Sequence, residues 1–147
     1  MSVPERAAEY NNRVVKIHQE LVTHLVVMDS ALAKVPADSA ALGIAMRRLD
    51  EELQKGLKST ESLGPFEEDV RLQIGLYDWL SAYQYMTHSD YKKLIEIKLL
   101  PLDSVNNADS DSSLVIQERL RAQSRVAQDA FLNAQVEFGR LYQLEFE

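Results

Sequence analysis

The chain has no cysteine among its 147 residues. That excludes disulfides, thiolate catalysis, cysteine-ligated zinc and covalent haem attachment, and it says little about compartment. Positive charge is in short supply too: 16 Lys and Arg face 23 Asp and Glu, a net charge of −7. Such a balance argues against nucleic acid or an anionic membrane as the main partner. No apolar run approaches the roughly 18 residues of a membrane span, the densest cluster being Leu25-Val26-Val27-Met28. The opening Met-Ser-Val-Pro-Glu-Arg is polar, unlike a secretory leader. The chain as it stands is expected to be soluble, with a leader upstream of Met1 left open. Also missing are Glu-x-x-His pairs, glycine-rich phosphate loops and any Ser-His-Asp spacing.

What is present is a rhythm. Four stretches carry apolar residues at helical spacing, parted by breaks at Val35-Pro36, at Leu63-Gly64-Pro65 and from Pro101 to Ser113. The reading is an all-α fold, an antiparallel up-down-up-down four-helix bundle formed by residues 1–147 as a single domain. A chain of this length buries about 70% of its unfolded surface and needs no staple.

The first helix is expected from about Pro4 to Lys34, with Val14, Ile17, Leu21, Leu25, Met28 and Leu32 on one stripe and Val15, Val22 and Val26 widening it. Asp38 or Ser39 caps the second, whose narrow stripe includes Leu49, Leu53 and Thr60. Gly56 beside that stripe allows a close helix approach. The third helix is read as opening on Phe66-Glu67-Glu68-Asp69, whose carboxylates suit the positive end of the dipole. Leu76, Leu80, Tyr83, Tyr91 and Leu94 sit mid-arc. The fourth follows the long acidic connection and runs to about Tyr142 along Ile116, Leu120, Ala127, Phe131, Ala134, Phe138 and Leu141.

Several residues stand out from this pattern. His18 shares a face with Val14, Leu21 and Leu25, and Asp29 lies eleven residues on within the same arc. They form a candidate inward polar pocket or metal ligand. The plainer alternative is a core histidine hydrogen-bonded to a tyrosine or glutamine of another helix. His24 and His88 fall on the stripe edge and the polar side, so the histidines make a poor metal set. Asn107, Asp109, Asp111, Ser113 and Glu118 match positions 1, 3, 5, 7 and 12 of a calcium loop. Position 1 lacks Asp, however, and Ser112 replaces the required glycine; the other reading is an acidic loop whose Asp111 or Ser112 caps the fourth helix. Arg121 and Arg125 read as solvated charges on the fourth helix's outer face. Leu72, Trp79, Met86 and Ile97 form one shoulder of the third helix. They are a candidate exposed strip for a homodimer or protein partner, unless the long connection or neighbouring helices cover them.

Tyr10-Asn11, Leu63-x-Pro65-Phe66-x-x-Asp69, Asp90-Tyr91-Lys92, Phe131-x-x-Ala134-Gln135-x-x-Phe138 and Tyr142 together resemble an uncharacterised family of helical bacterial surface proteins, often lipoproteins. The family pattern favours glycine before the aspartate of the Pro-Phe turn; Glu68 stands there in this chain. The resemblance implies a bacterial cell-envelope location if a leader has been removed, a cytoplasmic one otherwise, and no activity. The expectation is therefore a non-enzymatic helical interaction or scaffold protein without a cofactor, or alternatively a small-ligand or ion-binding bundle.

Overall fold

The computed structural model describes residues 1–144. Helix α1 spans Val3–Ala33, α2 Ser39–Leu63, α3 Arg71–Met86, α4 Lys92–Lys98 and α5 Asn107–Leu141. A π turn, Thr87–Tyr91, joins α3 to α4 into one rod, so four rods make an all-α antiparallel bundle. Rods adjacent in sequence pack directly, α1 on α2, α2 on α3 and α3 on α5. The seam between α1 and α5 is the widest and is bridged by long side chains.

Local chemistry explains most helix ends. Ser2 caps α1, its side chain accepting from the Glu5 amide, and Pro4 sits where its missing N–H costs nothing. Asp38 caps α2 by accepting from the Ala41 amide at 3.0 Å, and Gly64 follows the helix at φ 67°. Gly56 lies 3.2 Å, measured from an ideal Cβ, from a Leu80 methyl, so a close approach does occur there.

Two boundaries differ from the sequence reading. Phe66 to Asp69 is not a first helical turn but a tight reversal. Phe66 and Asp69 exchange backbone hydrogen bonds of 2.9 and 2.7 Å, while Glu67 and Glu68 take φ of 48° and 70°. That is left-handed backbone, the region glycine enters freely. The long connection is also shorter than expected. Asn106 and Asp109 form a reciprocal capping box, and α5 begins at Asn107 rather than after Asp111 or Ser112. A sequence run of Asp, Asn and Ser reads as loop, yet those residue types also favour helix starts.

The calcium-loop reading fails for the same reason. Asn107, Asp109, Asp111, Ser113 and Glu118 lie on a continuous helix. Their side chains radiate about 100° apart per residue and cannot wrap one ion. No cluster of three or more metal-ligating groups occurs among the described residues.

The π turn was not foreseen. The Thr87 hydroxyl donates to the Tyr83 carbonyl at 2.7 Å, and Ser89 donates to the Tyr85 carbonyl at 2.6 Å. Such back-bonding competes with the α-ladder and accompanies the wider turn. Asp90, within this turn, is buried.

The bundle end holding the Phe66–Asp69 turn is tightly stitched. Tyr10, Phe66, Phe138 and Tyr142 pack in tilted and edge-to-face pairs with centroids 4.7–5.6 Å apart. The Tyr10 hydroxyl donates to the Gly64 carbonyl at 2.6 Å, and Tyr142 donates to Asp69 at 2.9 Å. Burial, then the Asp69 charge, pushes the Tyr10 hydroxyl up to about 12. The bonds from Arg71 hold the Asp69 carboxyl well below the usual carboxylate range. Tyr10, Phe66, Asp69, Phe138 and Tyr142 all belong to the motifs behind the surface-protein resemblance, and here they hold helices together.

Candidate functional site

The α1–α5 seam supplies the register from which the site is built. The Gln135 amide donates to Asn11 at 3.0 Å, and seven residues further along α1 His18 meets Gln128 at 3.3 Å. Seven steps up one helix match seven down the other, as in an antiparallel pair. Gln128 Oε1 also accepts from the Trp79 indole at 3.1 Å. The indole can only donate, so Oε1 is the acceptor and His18 donates from Nε2.

His18 is thus the core histidine of the plainer reading, bonded to a glutamine of another helix. Its ring stacks on Phe131 at 4.6 Å and lies 4.2 Å from Trp79, whose own centroid is 6.0 Å from that of Phe131, so the three rings form a triangle. Burial lowers its pKa, against the effect of the Gln128 bond.

Asp29 does not join it. Eleven residues of helix put the two about 16 Å apart along the axis, and Asp29 lies at the bundle edge with one face open to water. Protein atoms crowd the other side of its carboxyl. That partial desolvation pushes its pKa up, while a 3.2 Å bond from the Tyr91 hydroxyl opposes the shift. Burial, then the Asp29 charge, pushes the Tyr91 pKa up as well.

The Trp79 shoulder is likewise corrected. Trp79 is 1% exposed, bonded to Gln128 of α5 and packed on His18 of α1, and Leu72 and Met86 are buried as well. Ile97 is half-buried and lines a cleft instead. Val26, expected to widen the α1 stripe, is exposed.

That cleft holds about 1100 Å³ between the end of α1, α4, the 99–106 connection and the start of α5. By the register above, Leu25 faces Arg121 and Asp29 faces Gln117. The seam is closed by side-chain bonds at Asn11 and His18, but Asp29 bonds Tyr91 and not α5. The cleft occupies this unclosed length. Its wall includes Leu32, Leu94 and Ile97, and its rim carries the exposed Val35, Leu99 and Leu114. The polar groups are Asp29, Tyr91, Lys98, Arg121 and five neutral side chains, four of which belong to α5. Arg121 therefore belongs to a cleft and is not simply a solvated outer-face charge.

Sequence reasoning missed this site, although a signal existed. In up-down-up-down order the first and third connections share one end. The apolar residues beside those breaks, Val35, Leu99, Leu100 and Leu114, must then converge.

A second polar feature sits at the π turn. Arg119 grips buried Asp90 through two bonds of 2.9 and 2.5 Å. Beside them, Gln123 Oε1 is buried without a hydrogen-bond partner among the described residues. The ion pair satisfies both charges, which is a structural role.

No helix among the described residues is long and apolar enough to cross a membrane. Comparisons with protein-family models, curated proteins and solved structures returned no match, so the site is read from its geometry.

Proposed function

We propose that this protein is a non-enzymatic helical binding protein that holds a small, largely apolar ligand in the cleft at the open end of its bundle. One observation carries the reading: a cleft of about 1100 Å³ with an apolar wall and rim, its polar side chains lying mostly along α5. Ligand pockets are typically apolar concavities of about 300–1,000 Å³ with a few placed polar groups. Exposed Val35, Leu99, Leu100 and Leu114 around one opening form the kind of contiguous apolar patch that marks a binding surface. The polar groups at hand position a ligand and form no nucleophile–base pair.

The test is titration with the neutral apolar dye N-phenyl-1-naphthylamine. Its fluorescence should rise on binding, and Ala33→Trp, which fills the cleft from an exposed helical position, should suppress the rise. Binding left intact in that variant refutes the site.

One observation favours a second reading, association through the third rod. Tyr85 and Val126, 67% and 70% exposed, flank a shallow apolar groove of about 470 Å³ between α3 and α5. Concentration-dependent sedimentation that Val126→Asp abolishes supports this reading; a monomer at all concentrations removes self-association.

A further inference from the structure

We propose that the cleft is specific for an amphiphile with one anionic head, an apolar chain ending in a carboxylate or similar acid. The inference rests on the cleft reading above and adds the ligand's charge. The chain as a whole is acidic, at −7, yet the cleft carries two cations, Lys98 and Arg121, against one carboxylate, Asp29. Neither cation makes an ion pair among the described residues. Lys98 is half-buried. Neither charge is already held by a carboxylate of the described residues, so each can pair with an anionic head entering the cleft. By the α1–α5 register Arg121 stands opposite Leu25, beyond the last α1–α5 side-chain bond, and it is exposed while lining the cleft. A guanidinium pairs with a carboxylate through two parallel hydrogen bonds.

Asp29 is the argument for the opposite charge, and it is the weaker one. It already accepts a hydrogen bond from Tyr91. Burial pushes its pKa up, against the effect of the Tyr91 bond, so its ionised form is the less favoured of the cleft's charges, whereas Arg121 keeps its charge at any working pH. The apolar wall, Leu32, Leu94 and Ile97, then receives the chain while the head stays at the basic rim.

Isothermal titration below micellar concentrations separates the alternatives, using decanoate, 1-decanol and decyltrimethylammonium as probes sharing one chain. Decanoate should bind about tenfold or more tighter than decanol, the size expected of one charge-assisted contact. Lys98→Ala/Arg121→Ala should bring decanoate down to the decanol level and leave decanol unchanged. Neither residue makes an ion pair, so the double variant should keep its fold, which circular dichroism checks. Decanol or the cation binding as tightly as decanoate overturns the charge assignment and leaves the cleft standing. So does an unchanged decanoate affinity in the double variant. No binding of any probe, or binding indifferent to Ala33→Trp, overturns the cleft reading together with it.

Discussion

Replacing Gly75 by alanine tests a close contact between α3 and α5. Gly75 lies in α3, and a Cβ built there comes 2.8 Å from the Cβ of Ala134 in α5. Carbon atoms in good contact sit about 3.5–4.0 Å apart. Both Cβ atoms are fixed to backbone, so no rotamer relieves the overlap, and α3 and α5 must move apart. In an open helix glycine to alanine gains about 1 kcal/mol, whereas overpacking a close contact costs about 1–3 kcal/mol. The cost wins here because the shortfall is large and neither partner can turn away. The expected net loss is about 1 kcal/mol, or about 2–4 °C in Tm. Gly43 in α2 is the control, since nothing lies within 4 Å of its built Cβ. Gly43→Ala should stabilise by about 1 kcal/mol, so two identical substitutions part by about 2 kcal/mol. Urea unfolding followed by circular dichroism reads both. Gly75→Ala/Ala134→Gly should recover parent stability to within about 0.5 kcal/mol, exposing a coupling of about 2 kcal/mol between the sites. A Gly75→Ala protein as stabilised as Gly43→Ala would refute the packing argument.

His18 gives stability a pH dependence. Its folded pKa lies below the ordinary 6.5, so as pH falls the unfolded chain takes the proton first. This contribution is full above about pH 6.5, declines below it, and levels off once folded His18 also protonates. His18→Phe keeps a flat ring against Trp79 and Phe131; it should flatten the slope between pH 6.5 and 5 in melting curves, and an unchanged slope would assign the effect elsewhere. Arg119→Ala leaves the buried Asp90 carboxylate without its partner and should cost about 1–3 kcal/mol, more than Asp90→Asn, in urea unfolding. The reverse order would mean the Asp90 charge is well solvated. Glu68→Gly relieves a left-handed backbone at φ 70° and should stabilise by about 1 kcal/mol, read as a raised Tm.

Much of the fold was legible because helical periodicity and proline breaks are local signals. The stripes of α1, α2 and α5, the Asp38 cap and the Gly64 stop follow from residues within a turn or two of each other. His18 was legible as an inward polar group for the same reason, and the glutamine that satisfies it was foreseen by type. The two misplaced boundaries have different causes. The Phe66–Asp69 reversal puts two glutamates in a conformation their sequence disfavours, held by the packing of Phe66 among Tyr10, Phe138 and Tyr142. The start of α5 was hidden by residues that serve equally in loops and caps.

The Trp79 shoulder shows where periodicity stops informing. A helix face wider than its neighbours can cover reads as exposed, provided the helices are evenly spaced. Here α1 and α5 stand further apart than the other neighbours, and Trp79, His18, Phe131 and Gln128 fill the gap. Spacing between helices set by non-local packing is invisible in a one-dimensional pattern.

The sequence by itself determined that four amphipathic segments fold back on one another, that nothing in the chain supports thiol or disulfide chemistry, and that His18 faces inward. Only the tertiary structure decided where the wide seam lies, that hydrogen bonds close it at Asn11 and His18, and that it opens beside Asp29 and Arg121 into a cleft. The physical reason is distance along the chain. Helix formation depends on neighbours three and four residues apart, whereas the cleft brings Val35, Leu99 and Leu114 together from three different segments.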